Sequence, residues 1–346
     1  MSSEFDFIRM IRERAAQGTV PPPDLRLGIG DDAAILAAES GWETLLTVDL
    51  LVEEVDFRLE YAVPRWLGHK ALAVSLSDIA SMGGSPRFAL LTLGIPPNLI
   101  PRRRDDHEWQ FWEEFFDGYF GLARSHRVAL VGGDISATPD RLTIDSFVLG
   151  QCRSGRAIRR SGAKVGEVIY LTGEIGASAA GLRLLLAGQR VERGAADELQ
   201  AALRAHLAPI PRVEFGRALG ESGLAGAMID VSDGLTQDLA HICEASGVAA
   251  VIDYPEVPVS PSLRLLGSDR QECFNLAISG GEDFELLFTA PAAIEPRLRE
   301  LAGPDLAITP IGMMVERRSS DQALLTLRGD GPPRPLPIRG HNHFRS

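Results

Sequence analysis

Short β-branched runs alternate with longer amphipathic ones along most of this chain, and that alternation leaves few folds open. TLLTVDLLV (44–52), RFALLTLGI (87–95), VALVGGD (128–134) and RLTIDSFVLGQC (141–152) read as strands. PRWLGHKALAVSLSDIASMGG (64–84) reads as a helix, opened by proline and closed by glycines. DDHEWQFWEEFFDGYFGLARSHR (105–127) reads as a second, with wide aromatic coverage, and a further helix is expected over 4–17. After a Gly-rich basic joint, RRSGAKVGE (159–167), the pattern resumes. VIYLTG and AMIDVS read as strands, ASAAGLRLLLAG and DGLTQDLAHICEAS as helices, and 277–290 as strand–turn–strand. The class is therefore α/β or α+β. With 346 residues the chain exceeds one ordinary core, so two domains are expected, 1–155 and 156–346.

Charge and cysteine usage remove several function classes. The net charge is −12, Lys70 and Lys164 are the only lysines, and no basic run is interleaved with aromatics, which argues against nucleic acid as a partner. No run reaches the ~18 apolar residues of a membrane span, and the first residues lack the pattern of a signal peptide. Cys152, Cys243 and Cys273 are scattered, with no CxxC pair, which fits a reducing cytoplasm rather than a disulfide framework or a zinc site.

The chemistry-bearing signal is a set of carboxylates beside or inside apolar segments. GIGDDAAIL (28–36) carries the adjacent Asp31 and Asp32. Asp49 lies within an apolar strand, where an unpaired carboxylate would protonate, pair with a base or hold a metal; a solvent-facing strand position is the plain alternative. Asp78 lies near the end of its helix, where the dipole disfavours negative charge and Asp is a poor helix former. Asp134 follows two glycines that permit close approach of a ligand, or simply form a turn. In DVSDGL (230–235), Ser232 or Asp233 could cap the next helix, or the helix start could bind an anion with a metal alongside. SGGEDFEL (279–286) packs three carboxylates into four residues. Oxygen donors without His or Cys select Mg²⁺, Ca²⁺ or Mn²⁺, and Mg²⁺ bridging to phosphate suits this set best. There is no G-x-x-x-x-G-K-[ST] P-loop and no G-x-S-x-G elbow, and GIGDDA is a broken dinucleotide fingerprint that follows no convincing strand.

Taken in order, GIGDDAAIL, TVDLLVEEVDF, HKALAVSLSDIASMGG, VGGDIS, RRSGAKVGE, LTGEIGASAAGL, IDVSDGLTQDL, SGGEDFELLF and GHNHF resemble the thiamine-monophosphate kinase family from about residue 4 to residue 344. The wider superfamily contains aminoimidazole ribonucleotide synthetase, selenophosphate synthetase and a hydrogenase maturation factor. The resemblance implies two mixed-sheet α/β domains, an N-terminal one that binds ATP and Mg²⁺ and forms a homodimer, and a C-terminal one that completes the active site. It implies transfer of the γ-phosphoryl of ATP to thiamine monophosphate, giving thiamine diphosphate, with no protein nucleophile. Asp32, Thr47, the Val48 carbonyl, Asp49, Asp78 and Asp134 would hold Mg²⁺, with Asp230 and Asp233 holding more. Phe116, Gly133, Asp134, Arg160 and Ser232 would meet ATP; Asp56, Glu282 and His341 would meet the thiamine substrate. A monovalent cation is a further cofactor to test. The sequence departs from the family pattern at Asp56, where the family has His, at His341, where it commonly has an aromatic, and at Phe116, where it has Tyr. Rival readings are another ATP-using enzyme of the superfamily with a different acceptor, and a non-catalytic Mg²⁺- or nucleotide-binding protein.

Overall fold

A computed structural model describes residues 10–11, 13–15, 17, 25–27, 35–36, 40–103, 105–192, 194, 197–319, 322–329 and 331–341. Of the helix expected over 4–17, residues 10–11 and 13–15 are helical, residue 17 is in a turn, and the others fall outside the described residues. The chain divides into two compact units, residues 1–79 with 85–154, and residues 80–84 with 155–346.

In the first unit, Leu25–Leu27 (β1) and Ile35–Leu36 (β2) form a small antiparallel pair. The main sheet has four strands: Trp42–Val52 (β3), Ser85–Ile95 (β4), Ala129–Ala137 (β5) and Thr143–Arg153 (β6). Their order is β3–β6–β4–β5, with β4 and β5 parallel and the other pairs antiparallel. Pro64–Ser81 (α1) is buried on nearly every side, and its residues Leu72, Leu76, Ile79 and Ala80 are fully covered, as expected of a core helix. His107–Ser125 (α2) buries Trp109, Trp112, Phe115, Phe116, Tyr119 and Phe120, and the Trp112 indole donates to the Leu99 carbonyl at 2.8 Å. The two helices meet backbone to backbone. A Cβ on Gly68 would collide with the Phe115 carbonyl, and one on Gly118 with the Arg65 carbonyl.

The second unit is built on a seven-stranded mixed sheet of Val168–Thr172 (β7), Ala227–Asp230 (β8), Ala249–Asp253 (β9), Leu286–Ala290 (β10), Ile308–Val315 (β11), Leu325–Arg328 (β12) and Arg334–Pro335 (β13). The order is β13–β12–β9–β11–β7–β10–β8. Its helices are Ala177–Leu186 (α3), Glu198–Leu207 (α4), Val213–Ser222 (α5), Leu235–Ser246 (α6), Arg270–Ser279 (α7) and Glu295–Ala302 (α8). The strand–turn–strand expected over 277–290 is wrong in its first arm, because residues 277–279 end α7. The Asp269 side chain accepts from the Glu272 amide at 2.8 Å and starts that helix, so a local cap overrides the apolar look of Ala277–Ile278.

Candidate functional site

In the first unit, β3 has two unlike faces. Leu46, Val48 and Leu50 are 57–61% exposed, whereas Thr47, Asp49 and Leu51 alternate with them on the covered side. The Thr47 hydroxyl donates to Asp78, and the Ser75 hydroxyl lies 2.7 Å from Asp49 Oδ2, so two residues of α1 meet two of β3. Burial, then the neighbouring Asp78, raise the Asp49 carboxyl from 3.8 to about 7, Asp145 adds to this, and Ser75 opposes it. The awkward placement read from the sequence is thus physical: Asp49 and Asp78 repel across a strand–helix contact that brings the Ser75 and Thr47 hydroxyls against them.

The register adds the other strands. One rung runs Leu50, Asp145, Thr92, Asp134, and the next runs Asp49, Ser146, Leu91, Gly133. Asp134 is exposed, and Gly133 has φ +154° with the Leu91 carbonyl packed where a Cβ would stand. The close approach to β4 alone therefore requires that glycine. Asp145 is the residue the sequence reading does not single out, although the signal that marks Asp49, an acid within an apolar strand, marks it too. Burial raises its carboxyl, and its Oδ1 is enclosed without a hydrogen-bond partner.

One expectation changes in this unit. Phe116, expected against ATP, is fully buried, its ring 5.3 Å from that of Phe115 and 5.7 Å from that of Phe120. The aromatic core of α2 consumes it, so in this structure it has no surface to offer a nucleotide. Asp56 turns back on its own loop, where Oδ2 accepts the Val52 amide at 2.8 Å. Asp32 lies outside the described residues.

In the second unit, Asp230 ends β8 and is 3% exposed. Neither Ser232 nor Asp233 caps α6 with its side chain. Asp238, four residues into the motif's helix, reaches back and accepts from the Gly234 amide at 3.0 Å and the Asp233 amide at 3.2 Å. Burial, then Asp230 and Asp233, raise Asp238 to about 8. Asp233 instead accepts from Gln237 Nε2 at 2.9 Å. The tail joins here, since the His341 amide donates to the Asp233 carbonyl at 2.9 Å and Thr236 is hydrogen-bonded to the Arg339 backbone. Arg160 is exposed, and its carbonyl accepts from the Ser246 hydroxyl at 3.1 Å.

The three carboxylates of SGGEDFEL have three separate tasks. Glu285 is buried in a two-pronged pair with Arg212, whose Nε donates to Oε2 at 2.7 Å. Asp283 accepts the Gly176 and Ser178 amides at 2.7 and 3.1 Å and so serves the start of α3, and burial raises it to about 7. Glu282 adopts φ +64° and donates its amide to the Ser232 carbonyl at 2.8 Å. Its carboxylate lies 3.1 Å from Nδ1 of His206, and 30% of its side chain is exposed. Ser232, Asp233, Glu282 and His341 are thereby linked through backbone hydrogen bonds. His206 and Arg212 lie in a stretch, 189–226, for which the sequence reading assigns no element.

Among the described residues no three His, Cys, Asp or Glu side chains converge on one point. A pair of carboxylates with hydroxyl neighbours, as at Asp49 and Asp78, nonetheless suits Mg²⁺, which takes one or two protein carboxylates and completes its shell with water and phosphate oxygens.

Two units of this topology, the first with carboxylates within its strands and the second with Asp230 at a strand end, match the paired domains of AIR synthase related proteins. The N-terminal domain model of that family matches residues 30–152, and the C-terminal one residues 164–321. The chain is 37% identical over 348 residues to the thiamine-monophosphate kinase of Bacillus subtilis, covering 99% of both chains. It is similar to the crystal structure of thiamine-monophosphate kinase from Stenotrophomonas maltophilia, with a TM-score of 0.79, 36% identity, and coverage of 95% and 97% of the two chains. It is also similar to a structure of AaThiL complexed with AMPPCP and TMP, with a TM-score of 0.72, 29% identity, and coverage of 99% and 97%. The chain belongs to the thiamine-monophosphate kinase family. Among the described residues no helix is long and apolar enough to cross a membrane.

Proposed function

We propose that this protein phosphorylates thiamine monophosphate with ATP, giving thiamine diphosphate and ADP. The observation that carries the reading is the Asp49–Asp78 pair. Two carboxylates pressed together beside Thr47 and Ser75 hydroxyls are costly alone and suited to a hard cation that carries phosphates. Full-length likeness to thiamine-monophosphate kinases supports the acceptor. In the reaction an oxygen of the acceptor phosphate forms a bond to the γ-phosphorus, the bond from that phosphorus to the β,γ-bridging oxygen breaks, and ADP leaves with the electron pair. The acceptor is already anionic near pH 7, its second pKa being ~6, so no general base and no protein nucleophile are required. Catalysis is positioning and charge neutralisation.

Asp32, Thr47, the Val48 carbonyl, Asp49, Asp78, Asp134, Asp230 and Asp233 would hold Mg²⁺. When bound, it neutralises charge on the phosphate oxygens. Gly133, Asp134, Arg160 and Ser232 would meet ATP, and Glu282, His341 and Asp56 the thiamine end. Residues 1–155 are thus assigned ATP, Mg²⁺ and dimerisation, and 156–346 the completion of the site. A homodimer is supported by β3, an edge strand exposing Leu46, Val48 and Leu50, for which a second copy is the natural cover. Buried free thiols at Cys152, Cys243 and Cys273 support a reducing cytoplasm.

The test is transfer of label from γ-³²P ATP. Labelled thiamine diphosphate should form with Mg²⁺ and not in EDTA. ADP release with a different phosphomonoester, and none with thiamine monophosphate, would favour the superfamily rival. Label remaining on denatured protein would overturn direct transfer.

A further inference from the structure

Glu282 carries a backbone conformation that L side chains avoid, at a cost of about 1–2 kcal/mol. A glycine would relieve it, yet a part-exposed acid stands there, held from several sides. Its amide is bound to the Ser232 carbonyl, and two residues on, Phe284, at φ +51°, donates to the Val231 carbonyl at 2.9 Å. Strain retained by surrounding contacts is a mark of function.

The carboxylate has a buried partner in His206. His206 on α4 is 2% exposed, and its Nδ1 lies 3.1 Å from Glu282 Oε2 and 3.1 Å from the Ser178 hydroxyl oxygen. An ionised carboxylate only accepts, so Nδ1 must carry the hydrogen, and the Ser178 hydroxyl oxygen can then only share that same hydrogen as a second acceptor. The ring is itself immobilised. Gly181 on α3 packs so closely on α4 that a Cβ there would meet the Ala202 carbonyl and stand 3.0 Å from His206 Cβ. Ser178 is buried in the first turn of α3, the turn whose amides Asp283 occupies. Consecutive residues of the loop are thus tied to one rigid helix start, Asp283 directly and Glu282 through His206.

We infer that His206, held by the close packing of α3 on α4, is a positioning residue that aims the Glu282 carboxylate at the thiamine moiety and so sets affinity for thiamine monophosphate without affecting that for ATP. This rests on the reading above that Glu282 meets the thiamine end. The thiamine moiety offers a cationic thiazolium and amine hydrogens, and a carboxylate with one oxygen held by the protein loses less freedom when it meets them.

The experiment measures kcat and both KM values for His206→Leu, His206→Asn and Glu282→Gln. His206→Leu should raise KM for thiamine monophosphate roughly five- to tenfold, as loss of a hydrogen bond to a charged group implies, with KM for ATP within about twofold. His206→Asn, whose amide can donate from near the Nδ1 position, should recover most of the loss. Glu282→Gln should raise the same KM. If Glu282→Gln raises it and His206→Leu does not, the positioning role is overturned and the Glu282 assignment stands. If Glu282→Gln leaves it unchanged, the Glu282 assignment falls and takes the proposal with it. Equal rises in both KM values for His206→Leu would show a merely structural residue. Should the leucine variant not fold, His206→Gln is measured instead, whose amide cannot donate from the Nδ1 position; an unchanged KM for thiamine monophosphate there overturns the proposal.

Discussion

The Ser75 hydroxyl lies 2.7 Å from Asp49 Oδ2 and 2.9 Å from the Ser146 carbonyl, and its single hydrogen can serve only one of them. With Asp49 protonated the chain is complete: the carboxyl donates to Ser75, and Ser75 donates to Ser146. With Asp49 ionised the hydroxyl turns to the carboxylate and leaves the carbonyl. The contacts accommodate either form, and burial beside Asp78 raises the carboxyl to about 7, so the protonated form predominates below neutral pH in metal-free protein.

Asp49→Asn imitates that protonated state. Its amide can donate to Ser75, so the fold is kept, while the charge needed beside a cation is lost. Kinase turnover should fall by orders of magnitude. Stability should respond to pH in a set direction. The native carboxyl keeps its proton up to about 7 and the unfolded one releases it near 3.8, so this group's contribution is full below that lower value and is lost as pH rises through 7. In EDTA, thermal unfolding should show the mutant level with wild type near pH 4 and more stable at pH 8. Wild-type turnover would make Asp49 structural; a mutant less stable at pH 8 would reveal a salt bridge.

The reciprocal contact of α1 and α2 makes a separate stability prediction. Gly68→Ala and Gly118→Ala each push a methyl group into a carbonyl of the facing helix, and backbone cannot step aside as a side chain can. Each should cost about 3 kcal/mol, the upper end for overpacking. Gly121→Ala on the same helix is the control, because its Cβ meets nothing within 4 Å. It should gain about 0.5–1 kcal/mol from backbone entropy and helix propensity. Urea unfolding of the three variants decides the matter, and equal effects would refute the packing argument.

Legibility followed locality. The strands at 44–52, 87–95 and 141–152 and the helices at 64–84 and 105–127 carry their signals in their own periodicity, and they stand within a few residues of where they were expected. Asp49 and Asp78 were legible because each violates a local rule. Helix α7 carries a capping signal in Asp269, three residues before Glu272, but the apolar residues at its end read equally well as a strand. His206 and Arg212 were not legible at all. Their partners, Glu282 and Glu285, lie more than seventy positions away, and nothing in AHLAPIPR distinguishes a buried anchor from a surface turn. Phe116 failed for the converse reason, since a motif slot was assigned where packing needed an aromatic ring.

The pair Arg212–Glu285 gives the last prediction. Glu285 is 6% exposed at the side chain, and besides Arg212 it accepts from the Thr172 hydroxyl. A buried ion pair adds little net stability over a well-packed apolar pair, but removing one partner strands the other charge. Arg212→Met should therefore cost about 3–5 kcal/mol, and the double variant Arg212→Met with Glu285→Leu should recover most of it. In the double variant the Thr172 hydroxyl oxygen still accepts the Leu286 amide at 2.8 Å, while its hydrogen loses Glu285 as acceptor, which is why recovery is large and not complete. Since Glu285 closes the loop that carries Glu282, Arg212→Met should also weaken binding of thiamine monophosphate, and the double variant should restore it together with stability. Isothermal calorimetry and urea unfolding on all four proteins of the cycle check both quantities. Additive effects of the two substitutions would show that the residues are not coupled, and a double variant that regains stability without regaining affinity would show that the charge pair, rather than the packing, orders the loop.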